Sequence, residues 1–498
     1  MGFSSIKERL KEIRQNSFLI GLLSLIWLLL VTGTKPSRAS YPCQRVAAAN
    51  VYMWLTTSVL PLFAVPRRLA KTDLSKKKWK PTLIAVMLVV IVASSVVVWK
   101  LQEAERKLPK QVIGLSLEGH QAKAQPSSDI FVVNGITECD GGFNELITLM
   151  GKHGLTFYKS DVKGKNQGRE GLIAKDDVVI VKVNSQWDER GGTNTDLLKA
   201  IIEAIMRHPD GFIGEIVVAD NGQAQYGAIG SGGSLEWKNS NAEDHSQSVQ
   251  KVVDMFSGSC KVSTYLWDKI TLESVGEYSE GDMKDGYVVN QTANLVTGIK
   301  VSYPKFQTKF GTYISFKKGV WNPDTRSYNN ERLKVINVPV LKTHSIYGVT
   351  ACVKHYMGVG SDKLTRHNAH QSVGTGGMGT EMVETRMPTL NILDAIWINA
   401  NPGRGPRTSY SEATRVNIIM ASVDPVALDY WAAKHVLMQV AQTLGFKDLS
   451  STDPDNTVSG SFGKWLRLSM QEIEKSKYQT TIREDQMNAY VVNLPSRR

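Results

Sequence analysis

The densest gathering of reactive side chains lies in residues 335–370, VINVPVLKTHSIYGVTACVKHYMGVGSDKLTRHNAH. An apolar, β-branched run ends in Lys342-Thr343-His344. Four of the nine histidines, His344, His355, His367 and His370, lie between 344 and 370, interleaved with Lys354 and Arg366. A lysine closing a buried strand is costly unless it finds a partner, so Lys342 points to an anion, phosphate or carboxylate. A helix opening near 348 would place Thr350, Lys354 and Gly358 on one face. Its free N–H groups would then favour an anion beside the strand end, with Lys342, Lys354 and Arg366 reinforcing it. The bland alternative is that these lysines are solvated surface groups.

The histidines carry two further readings. His344, with an unperturbed pKa near neutrality, suits a general acid/base. His367 and His370, three residues apart, would make a divalent-metal site if Asp220 or Asp424 completed it. The spacing is weak evidence for a metal, and neighbouring lysines disfavour a cation.

These side chains need strand ends to hold them. Short apolar strands such as DDVVIVKVN and GEIVVADNG alternate with helices such as TDLLKAIIEAIMRHPDG, where Thr195 is the expected N-cap. That rhythm predicts an α/β fold with a mainly parallel sheet and flanking helices. Ligands in such sheets sit beyond the carboxyl ends of the strands. Lys182 and Asn184, Asp220, Lys342 to His344, and Asp424 each close a strand, so the reading gathers them on one rim. Asp220 and Asp424 would orient His344 or bind the metal. Lys182, Asn184, Lys342, Thr350, Lys354 and Arg366 would hold the substrate.

The rhythm breaks over about 223–330, where Gly/Ser-rich loop and Tyr/Val/Phe-rich segments predict a β-rich insertion. The α/β domain is expected over 129–440, a polar tail over 441–498 and a polar stalk over 111–128. GTGGMG (374–379) follows no strand and lacks the Lys-Ser/Thr of a phosphate loop, so it reads as a mobile loop or lid.

Residues 1–110 hold three charge-free apolar stretches, 17–34, 46–66 and 81–99, and carry 18 basic against 5 acidic residues. The remainder carries 41 basic and 42 acidic residues, so the net charge of +12 is confined to this segment. A near-neutral main domain argues against nucleic acid as partner. Two or three transmembrane helices are expected, with the lipid bilayer as partner. If all three span, the basic flanks place the main domain outside the cytoplasm. Cys43, Cys139, Cys260 and Cys352 include no Cys-x-x-Cys pair, so no iron–sulfur cluster motif is present.

Three motifs, VPVLKTHSIYGVTACVKHYMGVG, NILDAIWINANPGRGP and IIMASVDPVALDYWA, together resemble the domain of unknown function 362 family, with DDVVIVKVN similar to its first conserved strand. The resemblance spans roughly 129–440. It implies the α/β fold and a pooled site around Lys182, Lys342, His344, Lys354 and Asp424, and names no substrate. Some relatives carry ferredoxin-type cysteines, which this chain lacks. The family's Lys-Pro-Asn is Lys182-Val183-Asn184 here, and its Lys-Asn is Lys354-His355.

The expected function is a membrane-anchored enzyme acting on an anionic small molecule or envelope precursor by acid/base chemistry, with metal assistance as an option. A non-catalytic envelope binding or assembly protein is the alternative.

Overall fold

The computed structural model describes residues 112–223 and 232–495, together with Ser24. The chain divides into two units, 1–102 and 103–498, and every described strand belongs to the second. Ser24 apart, the apolar stretches at 17–34, 46–66 and 81–99 lie outside the described residues, and with them the expected anchor and its orientation. Among the described residues no helix is long and apolar enough to cross a membrane.

Strands and helices alternate first: β1 (Ser128–Asn134), α1 (Cys139–Lys152), β2 (Val178–Lys182), α2 (Thr195–Met206), β3 (Glu215–Asp220), α3 (Val249–Asp254) and β4 (Lys261–Leu266). Five short strands come next, β5 (Gly286–Val289), β6 (Ser302–Gln307), β7 (Tyr313–Ser315), β8 (Gly319–Asn322) and β9 (Ser327–Asn329), which form a separate antiparallel sheet. The main sheet resumes with β10 (Leu333–Asn337), β11 (Val340–His344) and β12 (Gly348–Thr350). After it stand α4 (Cys352–His355), α5 (Asn368–Ser372) and α6 (Gly377–Glu384), then β13 (Leu390–Asn399) and β14 (Thr414–Ser422). The chain closes with α7 (Pro425–Ala432), α8 (Met438–Thr443), α9 (Phe462–Glu474) and β15 (Met487–Asn493).

The main sheet has ten strands in the order β15-β1-β14-β13-β10-β2-β3-β4, with β11 pairing β13 and β12. β13, β10, β2, β3 and β4 run parallel to one another, whereas β14 is antiparallel to both β1 and β13. Fully buried apolar runs such as Val178–Val181 are what a sheet covered on both faces requires. Alternate residues serve opposite faces. Val179, Val181, Ile216 and Val218 pack with Leu146, Ile147, Leu198 and Ile201 of α1 and α2. Val178, Ile180, Val217 and Ala219 face Trp267, Tyr287, Phe306, Tyr356 and Trp431.

Three segments depart from the sequence reading. The stretch expected as a stalk lies along the domain from residue 112: Ile113 and Leu117 are buried, and the Asn134 amide donates to Leu115 O at 2.8 Å. The expected polar tail supplies α9 and β15, and β15 pairs in parallel with β1 from Ser128↔Met487 to Asn134↔Asn493. Its polarity is the outer half of an amphipathic helix, whose other side buries Phe462, Trp465, Leu466 and Ile473. GTGGMG is no exposed lid: it leads into buried α6. A Cβ at Gly379 would lie 2.1 Å from Ser469 O, so those glycines let α6 and α9 approach closely. Asn194, not Thr195, caps α2, its side chain accepting from Asp196 N and Leu197 N.

Candidate functional site

Parallel β2 and β3 end side by side, and their last polar residues form an ion pair. Lys182 Nζ donates to Asp220 Oδ1 at 2.8 Å, and both side chains are sealed from solvent. Asp220 Oδ2 accepts from Ser185 N at 2.7 Å and Ser185 Oγ at 3.1 Å. Burial pulls the Lys182 amine down from its ordinary value, and Asp220 opposes that shift. Gly358 closes over the pair. A Cβ there would lie 2.4 Å from Asp220 Oδ1 and 2.8 Å from Lys182 Nζ.

His355 extends this network. The Asn337 amide donates to Cys352 O and Asn391 Oδ1, which leaves its Oδ1 facing His355 Nδ1 at 2.7 Å. The proton therefore sits on Nδ1. Burial, then the charges of Lys182 and Lys342, push His355 well below the usual imidazole range. The Val183 carbonyl, 3.0 Å from Nε2, pulls the other way by favouring the charged ring. Neutral His355 thus accepts from Lys182 at 3.2 Å through Nε2.

A second group centres on β11. Lys342 is wholly buried and donates to Gly191 O. Its cross-strand partners are Thr350 on β12 and Asn399 on β13, and residues directly opposite on neighbouring strands project together. Thr350 Oγ1 and Asn399 Nδ2 are buried without a hydrogen-bond partner among the described residues, as is Asn184 Oδ1. Burial first, and then the charge of Lys354, brings Lys342 down to about 7, while Asp394 and Asp220 act in the opposite sense.

Lys354 is buried, and among the described residues no hydrogen bond or ion pair holds its ammonium, which stands 5.2 Å from the Tyr347 ring centre. Burial lowers it to about 8. The Tyr347 ring lies tilted against His344, 5.0 Å between ring centres, and its hydroxyl donates to His370 O at 2.5 Å. His370 Nδ1 is bound to Asp362, a fully buried carboxylate that also accepts from Ala369 N at 3.0 Å. Burial and the Lys354 charge draw His370 down to about 4, against which a carboxylate on Nδ1 pulls upward. With Nδ1 committed to Asp362, Nε2 is the nitrogen left for chemistry.

The structure corrects several expectations. His344 does not titrate near neutrality. Its Nδ1 accepts from Ile346 N at 3.1 Å and Tyr347 N at 3.2 Å, and burial, with Lys354 and Lys342, pushes it far below the usual range. It is a neutral ring with its proton on Nε2. Thr350 is not helical: it ends β12, and α4 spans only Cys352–His355. The first N–H groups of that turn are not free for a ligand, because Asp429 on α7 accepts from Cys352 N at 2.7 Å and Val353 N at 2.9 Å.

Asp424 is not brought to the lysines either. Its strand runs antiparallel, and its carboxylate caps α7 through Val426 N and Ala427 N while also accepting from Ser128, Thr480 and Thr481. Arg366 stands exposed in a left-handed turn at φ 57. His367 is exposed and lies 3.9 Å from Asp362, so both metal candidates face that carboxylate rather than Asp220 or Asp424. Among the described residues no three His, Cys, Asp or Glu side chains are arranged to hold a metal ion.

Asp362, Tyr347, Ser185 and Asn399 were not foreseen. Asp362 lies eight residues before His370 in an irregular turn, where no helix or strand period signals contact. Asn399 sits in a register visible only once β11 pairs with β13.

The family model described as Domain of unknown function (DUF362) matches residues 235–434. The match contains Lys342, His344, Lys354 and His370 but not Lys182 or Asp220. No curated protein and no solved structure matches the chain.

Proposed function

We propose a function from the site itself, residues 235–434 matching the domain of unknown function 362 family, whose description names no activity: an enzyme that acts on an anionic small molecule by acid/base chemistry. The observation that carries this reading is the row Thr350–Lys342–Asn399. There a hydroxyl, an ammonium and an amide are buried on neighbouring strands, the Thr350 hydroxyl and the Asn399 amide nitrogen without a partner among the described residues, while Asn399 Oδ1 accepts from Asn401 N. Buried polar groups are normally satisfied, and three donors in one row suit the oxygens of a carboxylate or phosphate. Lys354 adds a second ammonium, without a counter-ion among the described residues. By contrast Lys182 already has Asp220 and is better read as a support for the strand ends.

Acid/base duty passes from His344 to His370. A buried carboxylate on Nδ1 fixes the ring and its tautomer, and Nε2 is left to exchange a proton with the ligand. His344 serves as a neutral N–H donor from Nε2. The apolar, basic segment 1–110 supports attachment to a membrane with the domain on its outer side. Calorimetric titration of the full-length chain with inorganic phosphate and with acetate tests the reading. Heat of binding that disappears in Lys342→Met supports it, and no binding of either anion removes it. Binding with no chemical change in any carboxylated or phosphorylated compound supplied would favour a non-catalytic binding protein.

A further inference from the structure

Building on the anion site above, we propose that Lys354 is a nucleophilic amine that condenses with the carbonyl carbon of a small anionic aldehyde or ketone to form an imine, with the anion held at Lys342. The three lysines differ in what holds them. Lys182 is paired with Asp220 and bonded to His355, and Lys342 is tied to the Gly191 carbonyl. Lys354 has the Tyr347 ring beside it, and of the three its nitrogen is the one not committed to the protein. The titratable groups in reach of it are Lys342, His344, His355 and His370, and among the described residues no carboxylate pairs with it. Desolvation and a neighbouring cation are the two conditions that turn a lysine into a nucleophile at neutral pH, and here burial alone brings the amine to about 8.

The anion subsite fits a carboxylate next to the carbonyl. Lys342, Thr350 and Asn399 offer donors from three adjacent strands. In the reaction the lone pair of Lys354 Nζ forms a C–N bond as the carbonyl π bond opens onto oxygen, which takes up a proton. The carbinolamine then loses that oxygen as water while the C=N bond forms. Amine plus carbonyl gives imine plus water, with no change of oxidation state. The proton shed by the ammonium passes to His370 Nε2 and returns to the departing hydroxyl.

Reductive trapping tests this. The full-length chain is incubated with glyoxylate and cyanoborohydride at about pH 7.5, where an ordinary lysine is protonated, and carboxymethylation is mapped by peptide mass spectrometry. Lys354 is expected to be modified about tenfold or more faster than exposed Lys163, and inorganic phosphate is expected to slow it. Modification of Lys354 no faster than of Lys163 overturns the proposal. If phosphate still binds calorimetrically in that case, the anion site stands and only the imine falls. If phosphate neither binds nor protects, the anion site itself is refuted.

Discussion

Lys182 and Asp220 meet at 2.8 Å in an interior that water does not reach, at the ends of neighbouring parallel strands. Removing one partner of such a pair leaves an uncompensated buried charge, at a cost of about 3–5 kcal/mol. Asp220→Ala should therefore lower stability by about that amount in chemical denaturation, and Lys182→Met/Asp220→Leu together by much less than the two single changes summed. Gly358→Ala should destabilise through the same pair, because its Cβ would press on both charged groups. Additive single and double variants would contradict the coupling.

Lys342 makes stability depend on pH with a definite sign. Its amine titrates at about 7 in the folded chain and at the ordinary 10.5 when unfolded. Between those values the unfolded chain holds the proton that the folded chain has lost, so stability rises with pH, by at most about 1.4 kcal/mol per unit. Thermal melts from pH 7 to 10 should show a climb that is shallower in Lys342→Met. Identical slopes in the two proteins would show that Lys342 keeps an ordinary pKa.

His344 should stay neutral throughout the range from pH 5 to 8, since burial and two ammonium groups oppose its charging. Nitrogen chemical shifts of its ring should report the Nε2–H tautomer and no titration step. A step near pH 6.5, the ordinary imidazole value, would return it to the acid/base role.

Asp424 separates a structural carboxylate from a functional one. Asp424→Ala removes the cap of α7 and the anchor of Ser128, Thr480 and Thr481, which should cost about 2 kcal/mol. Phosphate affinity of the folded variant should be unchanged. A loss of affinity with little loss of stability would instead place Asp424 in the site.

Periodicity made part of the fold legible in the sequence. Runs such as VVIVK and EIVVAD announce buried parallel strands with Lys182 and Asp220 at their ends, whereas VINVPVL, which reads as one strand closed by Lys342, is split into β10 and β11 with Lys342 in the middle of the second. Strand direction was not legible: IIMASVD reads like its neighbours, yet β14 runs the other way and takes Asp424 off the rim. The segment YGVTACVKH reads as helix, whereas Gly348, at φ 75 with Ser451 O against it, turns the chain into a hairpin. Local composition cannot show such tertiary contacts. Nor could it show that Asp429 occupies the N–H groups expected to greet a ligand.

The most direct test of the anion site is phosphate affinity as a function of pH, measured by calorimetry on the full-length chain and on Lys354→Met. Binding needs charged amines, and Lys342 and Lys354 lose their protons at about 7 and about 8. The account predicts affinity that is highest below pH 7, falls steadily through pH 7 to 8, and is weakened at every pH in the variant. Affinity that is flat to pH 9, or equal in the two proteins, would mean that these lysines do not hold the ligand.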